Sequence, residues 1–247
     1  MENPHKVLSI TSPIDLESEL RLAHFRVVVF GSARIRRGGE RYQQVYTLAR
    51  RIAHHNIDIV TGGGPGIMEA ANAGHHAGRN SHDSHSIGFT VTLPFEENVN
   101  HYLDYRKHFT HFSDRLDHFM AMANVIVVMP GGVGTCLELS YAWQLTQVKH
   151  MNKIPIILMG EMWEGFLRWV REYPLEKNYI SPGDMENLFL VKNNEEAMNI
   201  ILPEYEAYQQ LSLEERQHFK KYRLEKMNEK PPIPKKADLA KGKREVE

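Results

Sequence analysis

The sequence has 247 residues, 42% hydrophobic and 25% charged, enough to bury one large α/β core without disulfides. Its formal net charge of −1 gives no global attraction to nucleic acid or membrane, and no apolar run reaches bilayer-spanning length. The single cysteine, Cys136, excludes an internal disulfide, and with an N-terminus free of signal-peptide patterning it leads to the expectation of a cytoplasmic protein.

In chain order, residues 1–24 read as an extension with a short helix at Asp15–Leu22. Phe25–Phe30, FRVVVF, is an unbroken apolar run, as expected of a strand covered on both faces. It leads into a turn with Gly31, Ser32 and Arg34. A helix follows over Glu40–His54, with Val45, Leu48, Ala49 and Ile52 on one face. Ile57–Thr61 is the second strand. The run TGGGPG then places Gly62, Gly63, Gly64 and Gly66 in a turn, and Ile67–Ala77 reads as a helix whose first turn holds Glu69, an ordinary dipole partner. Ile87–Thr92 is a strand, Pro94–Asn100 a loop near the site, and 101–112 a short extended segment rich in aromatics.

Ser113 is the expected N-cap of a helix ending near Ala123, with Leu116, Phe119 and Met120 at helical spacing. Val125–Met129 drives as a strand into Pro130-Gly131-Gly132-Val133-Gly134-Thr135, and an amphipathic helix takes over through Leu139, Ala142 and Leu145. Such a glycine turn delivers backbone N–H groups and a positive helix end to an anion. The spacing from Thr135 to Glu138 also fits a capping box, which would make Glu138 a structural residue. Ile154–Met159 is a buried strand and Met162–Tyr173 a helix with two tryptophans. Pro182–Val191 and Glu195–Leu202 close a domain drawn at 25–203, followed by a charged helical extension at 204–230 and a disordered tail at 231–247.

Alternating strands and helices predict a Rossmann-like α/β fold, a doubly wound parallel sheet with helices on both faces and its ligand at the carboxyl edge. Neither glycine turn matches GxGxxG or GxxxxGK[ST], so two short turns suit one phosphate better than a dinucleotide or a triphosphate. The fourteen histidines form no HExxH or Cys/His zinc spacing, and no metal is expected. Cys136 reads as a small core-side residue. Arg115 stands out as a cation in the first turn of its helix, where the dipole disfavours it.

TGGGPGIMEAAN together with PGGVGTCLE, and an arginine fifteen residues before Pro130, resembles the LOG (Lonely Guy) family of nucleotide 5′-monophosphate phosphoribohydrolases. Many of its members were once labelled lysine decarboxylases. The resemblance runs from about Phe25 to Leu202. Leu116 after the arginine, where lysine is usual, is more like the bacterial purine/pyrimidine nucleotide nucleosidases than the plant cytokinin-activating enzymes.

The resemblance implies that Arg115 and Glu138 are the catalytic pair. It assigns Gly131, Gly132, Gly134 and Thr135 to phosphate and ribose, with Gly62, Gly63, Gly64, Gly66 and Met68 closing the other side; Ser32 in the first turn joins the substrate-binding set. In this reading Arg115 keeps Glu138 ionised. The implied substrate is a nucleoside monophosphate (AMP-like or another purine or pyrimidine), with no cofactor. Two alternatives share the scaffold. One is a molybdenum-cofactor carrier, and the other is a decarboxylase that would need pyridoxal phosphate although neither glycine turn contains lysine. A symmetric homodimer is expected, its interface near Tyr102–Phe112 and Phe119–Met122, with no nucleic-acid or membrane partner.

Overall fold

The computed structural model describes residues 12–13, 23–80, 83–91, 99–219 and 222. The expected helix at 15–22, most of the loop at 94–100 and the tail at 231–247 lie outside the described residues.

Apolar runs of four to six residues make most of the strands, and among the described residues all pair in parallel in one eight-stranded sheet. They are β1 (Ser12–Pro13), β2 (Arg26–Phe30), β3 (Asp58–Thr61), β4 (Ser86–Val91), β5 (Tyr105–Phe109), β6 (Val125–Val128), β7 (Ile156–Met159) and β8 (Leu188–Val191), in the spatial order β1-β5-β4-β3-β2-β6-β7-β8. The short β1, inside the stretch read as an extension, pairs with β5 at the edge. The chain builds outward from β2 through β3, β4 and β5, then returns to lay β6 on the other side of β2, with Val27 opposite Val125. That reversal makes the β2–β6 boundary the switch point, where parallel sheets open a ligand crevice.

Period-two alternation divides the strand side chains between two cores. Val27, Val29, Ile59, Val125, Val127 and Ile157 face helices α1 (Glu40–His54), α2 (Ile67–Gly78) and α6 (Asn194–Gln210). Val28, Phe30, Val60, Ile126, Val128 and Ile156 face α3 (Phe112–Met122), α4 (Val133–Gln147) and α5 (Met162–Val170). The sheet is therefore doubly wound, as expected. Among the described residues no helix is long and apolar enough to cross a membrane.

Several boundaries differ from the expectations. α3 starts at Phe112 after an N-cap at His111, so Ser113 lies inside it. α5 ends at Val170 and widens into a π turn over Arg171–Leu175, because Pro174 has no N–H to offer the carbonyl four residues back. α6 continues through Pro203, which lies on the exposed face together with Asn199, one turn back. The buried face of α6 carries Ile201 and Tyr208, and Tyr208 donates to Ala23 O at 2.8 Å. A short α7 (Leu213–Phe219) follows.

Phe119, Met120 and Met122, expected near a dimer interface, are at most 1% exposed and pack in the protein's own core, while Phe112 at the start of the same helix is exposed. Cys136, expected inside, is exposed.

Candidate active site

Both glycine turns end strands at the carboxyl edge, and the turn after β2 clasps them together. Ser32 N–H donates to Pro130 O at 3.1 Å, while Ser32 O accepts from Ile67 N–H at 3.0 Å. Gly66 sits at φ +68° against Ser32 and Ala33, a conformation and a spacing that only glycine tolerates. The Ser32 side chain accepts from Arg34 N–H at 3.1 Å, so its hydroxyl shapes its own turn.

A polar network without any sequence signature holds the first turn. Gly63 N–H donates to Thr61 Oγ1 at 3.0 Å, Thr61 donates to the buried Asn72, and Asn100 ties Asn72 to Gly64 O at 3.0 Å. Met68 lies over Gly62 and Gly64.

The second turn enters α4 earlier than a capping box allows. The helix begins at Val133 with Gly132 as N-cap and no side-chain cap, so the Thr135–Glu138 capping reading fails. Thr135 is buried and packs on Gly131, where any Cβ would collide with it. The first intrahelical bond runs from Cys136 N–H to Gly132 O, which places the amides of Val133, Gly134 and Thr135 ahead of the ladder. A Cβ on Gly132 or Gly134 would meet nothing within 4 Å, so the space above them is open.

Arg115 reaches this edge from α3. Its Nε donates to Phe89 O at 2.7 Å, its guanidinium lies 5.1 Å from the centre of the Phe119 ring, and its Nη2 abuts Gly62. The Phe119 contact is an i,i+4 pair and could have been read from helical spacing. Arg115 Nη1 lies 3.8 Å from Glu138 Oε1, with side-chain exposures of 11% and 14%. Burial pushes the Glu138 carboxyl up to about 7 against the lowering influence of Arg115. Arg115, expected to keep Glu138 ionised, does lower the carboxyl, but at this separation the opposing effect of burial is the larger.

Arg115, Glu138 and both glycine turns therefore share one edge of the sheet. The family model for "possible lysine decarboxylase" matches residues 68–201, from the start of α2 to α6 and through the second glycine turn. The chain belongs to this family. Curated relatives include a pyrimidine/purine nucleotide 5′-monophosphate nucleosidase of Escherichia coli K12, 34% identical over 126 residues, which are 47% of this chain and 28% of that protein. A cytokinin riboside 5′-monophosphate phosphoribohydrolase of Mycobacterium tuberculosis is 33% identical over 83 residues, 33% of this chain and 43% of its own. The matches thus span less than half the length of these relatives. Among solved structures, the molybdenum cofactor carrier protein of Chlamydomonas reinhardtii superposes with a TM-score of 0.55 at 19% identity, covering 74% of this chain and 99% of its own. The molybdenum cofactor binding protein of Rippkaea orientalis gives 0.53 at 19%, covering 72% and 94%. At such identity the chain shares the fold with them, and no more is implied.

At the opposite, amino edge, His24, Asp58 and His85 bring ligand atoms within 4.8 Å of one another. The fully buried Arg26 places Nε 3.3 Å from Asp58 Oδ2. Burial pushes the Asp58 carboxyl up, but the His24 hydrogen bond and the Arg26 charge hold it below its ordinary value. The guanidinium already gives the Asp58 carboxylate a cationic partner, so Arg26 and Asp58 form a buried ion pair.

Proposed function

We propose that this protein hydrolyses the N-glycosidic bond of nucleoside 5′-monophosphates to free base and ribose 5-phosphate. The observation that carries the reading is the placement of Glu138, a carboxyl buried 3.8 Å from Arg115 beside two glycine turns, where desolvation raises its pKa. The 5′-phosphate docks on the open amides at the start of α4, with Gly131, Gly132, Gly134 and Thr135 around it. Gly62, Gly63, Gly64, Gly66 and Met68 wall the other side, and Ser32 joins the two.

Ionised Glu138 takes a proton from a water whose oxygen bonds to C1′. The C1′–N bond breaks, its electron pair leaves with the base, and the proton passes to that base. The sugar carries positive charge in the transition state, which a nearby carboxylate stabilises. A pKa near 7 lets Glu138 both accept and return a proton at neutral pH.

The test is base release from a panel of purine and pyrimidine monophosphates. Release from none of them, by folded protein, overturns the proposal. Tight binding of a phosphorylated ligand without turnover would favour a carrier on the same scaffold.

A further inference from the structure

The two helices that bring Arg115 and Glu138 together are joined a second time, just behind that pair. Asp117 is buried, lies two residues past Arg115 on α3, and accepts through Oδ1 from the hydroxyl of Tyr141, which lies three residues past Glu138 on α4. A third group meets them. The Tyr222 hydroxyl donates to the same Oδ1 and lies 3.4 Å from the Tyr141 hydroxyl, and its ring packs against the core shared by α3, α4 and α5. Tyr222 is 105 residues from Asp117 in the chain, inside a stretch whose composition reads as a charged extension.

We infer that Tyr222 is a positioning residue: its hydroxyl completes an Asp117–Tyr141–Tyr222 clasp that fixes α3 against α4 and thereby sets the Arg115–Glu138 separation. A buried carboxylate needs its lone pairs satisfied, and two phenols meet that need on one side. Burial and the shared carboxylate raise both phenol pKa values, so the hydroxyls stay protonated donors throughout the working pH range. The catalytic pair is held at 3.8 Å without a direct hydrogen bond, so small shifts between the helices change it directly. Loss of about an ångström of placement can cost on the order of a hundredfold in rate. The consequence for Arg115 and Glu138 rests on the proposed nucleosidase reading; the clasp itself does not.

Tyr222→Phe keeps the ring and its packing and removes only the hydroxyl. The expected result is faster amide hydrogen exchange in α3 and α4, with exchange in α1 and α2 unchanged. In the active protein, kcat should fall roughly tenfold while KM for the monophosphate changes much less, because the substitution removes no atom of the phosphate-binding turns. Tyr141→Phe should behave alike, and the double variant should add little to either single one. Unchanged exchange in α3 and α4 overturns the clasp. Faster exchange with unaltered kcat overturns the positioning role. Should the wild-type protein release no base, the exchange measurement still decides the clasp, and the nucleosidase reading alone falls.

Discussion

The Nε of Arg115 donates to Phe89 O at 2.7 Å, whereas its Nη1 stops 3.8 Å short of Glu138 Oε1. The arginine is thus fixed by the backbone of β4 and by the Phe119 ring, and it faces Glu138 without neutralising it. A tight ion pair would lock the carboxylate away from water and substrate. Here Glu138 keeps a pKa near 7 and its lone pairs. The expected outcome is that Glu138→Gln lowers turnover roughly a hundredfold or more while monophosphate affinity persists. Arg115→Ala should lose most turnover too, and the double variant should be little worse, as in groups that act together. Steady-state base release beside equilibrium binding checks this; near-wild-type turnover by Glu138→Gln ends the catalytic assignment.

The raised pKa also has a stability consequence. Burial lifts the Glu138 carboxyl from 4.5 to about 7 in the folded state. Below pH 4.5 the group is protonated folded or unfolded and costs nothing. Between 4.5 and 7 the folded state binds more protons than the unfolded, so stability falls as pH rises, and above 7 the full penalty stands. About 1.4 kcal/mol per pKa unit makes that penalty on the order of 3 kcal/mol. Glu138→Gln should therefore melt several degrees above wild type at pH 8, at roughly 2–4 °C per kcal/mol, and match it at pH 4. Calorimetric scans of ligand-free protein at the two pH values check it. In wild type, turnover should rise with pH through about 7, since the ionised carboxylate is the proton acceptor.

Strand placement was legible because FRVVVF and VIVVM are buried on both faces, and runs of that kind have few other uses. The glycine turns and Arg115 were legible for the same local reason, each being a residue type its position would otherwise disfavour. What escaped depends on contacts remote in sequence. Thr135 has the chemistry of an N-cap, but packing on Gly131 claims it, and Gly132 starts the helix uncapped. Pro203 suggests a break, yet Tyr208 beyond it reaches Ala23. Asp58 lies in a strand as expected, but nothing local shows that Arg26 and His24 pair with it. Glu138 could be named from its motif, but its raised pKa follows from burial that only the packed helices create.

Substrate anchoring predicts a large preference for phosphate. With three amides at the start of α4 ahead of the helix ladder, AMP or GMP should react far better than adenosine or guanosine. The helix terminus alone contributes up to about 2 kcal/mol, roughly thirtyfold, and charge-assisted hydrogen bonds add to that. The check is kcat/KM for each nucleoside and its monophosphate. Equal values would remove the phosphate from the proposed mechanism.

A symmetric homodimer remains our proposal, and α4 adds an exposed apolar face to the surface it could use. The core helix residues Phe119, Met120 and Met122 are unavailable, whereas Val133 on α4 is 88% exposed and Leu137 beside it 46%. Large apolar groups on an outward helix face suit a self-complementary contact. Light scattering at micromolar concentration should give a dimer mass, and Val133→Lys with Leu137→Lys should shift it toward monomer. A wild-type monomer at those concentrations counts against the assembly.

The glycines of the second turn separate folding from function. A Cβ on Gly131 would strike the buried Thr135, so Gly131→Ala must displace the start of α4 and should lower both stability, by roughly 1–3 kcal/mol, and turnover. Gly132 and Gly134 have no atom within 4 Å of an added Cβ, and neither is among the glycines with positive φ. Alanine there should leave the melting temperature unchanged or slightly raised, since Gly→Ala at a compatible position reduces the freedom of the unfolded chain. If the open space above them is where the 5′-phosphate approaches the amides, the same substitutions should raise KM for the monophosphate at least tenfold. They should also weaken binding of inorganic phosphate as a competitive inhibitor. A stable Gly134→Ala protein with unchanged KM and unchanged phosphate inhibition would mean that the ligand does not sit on this helix end.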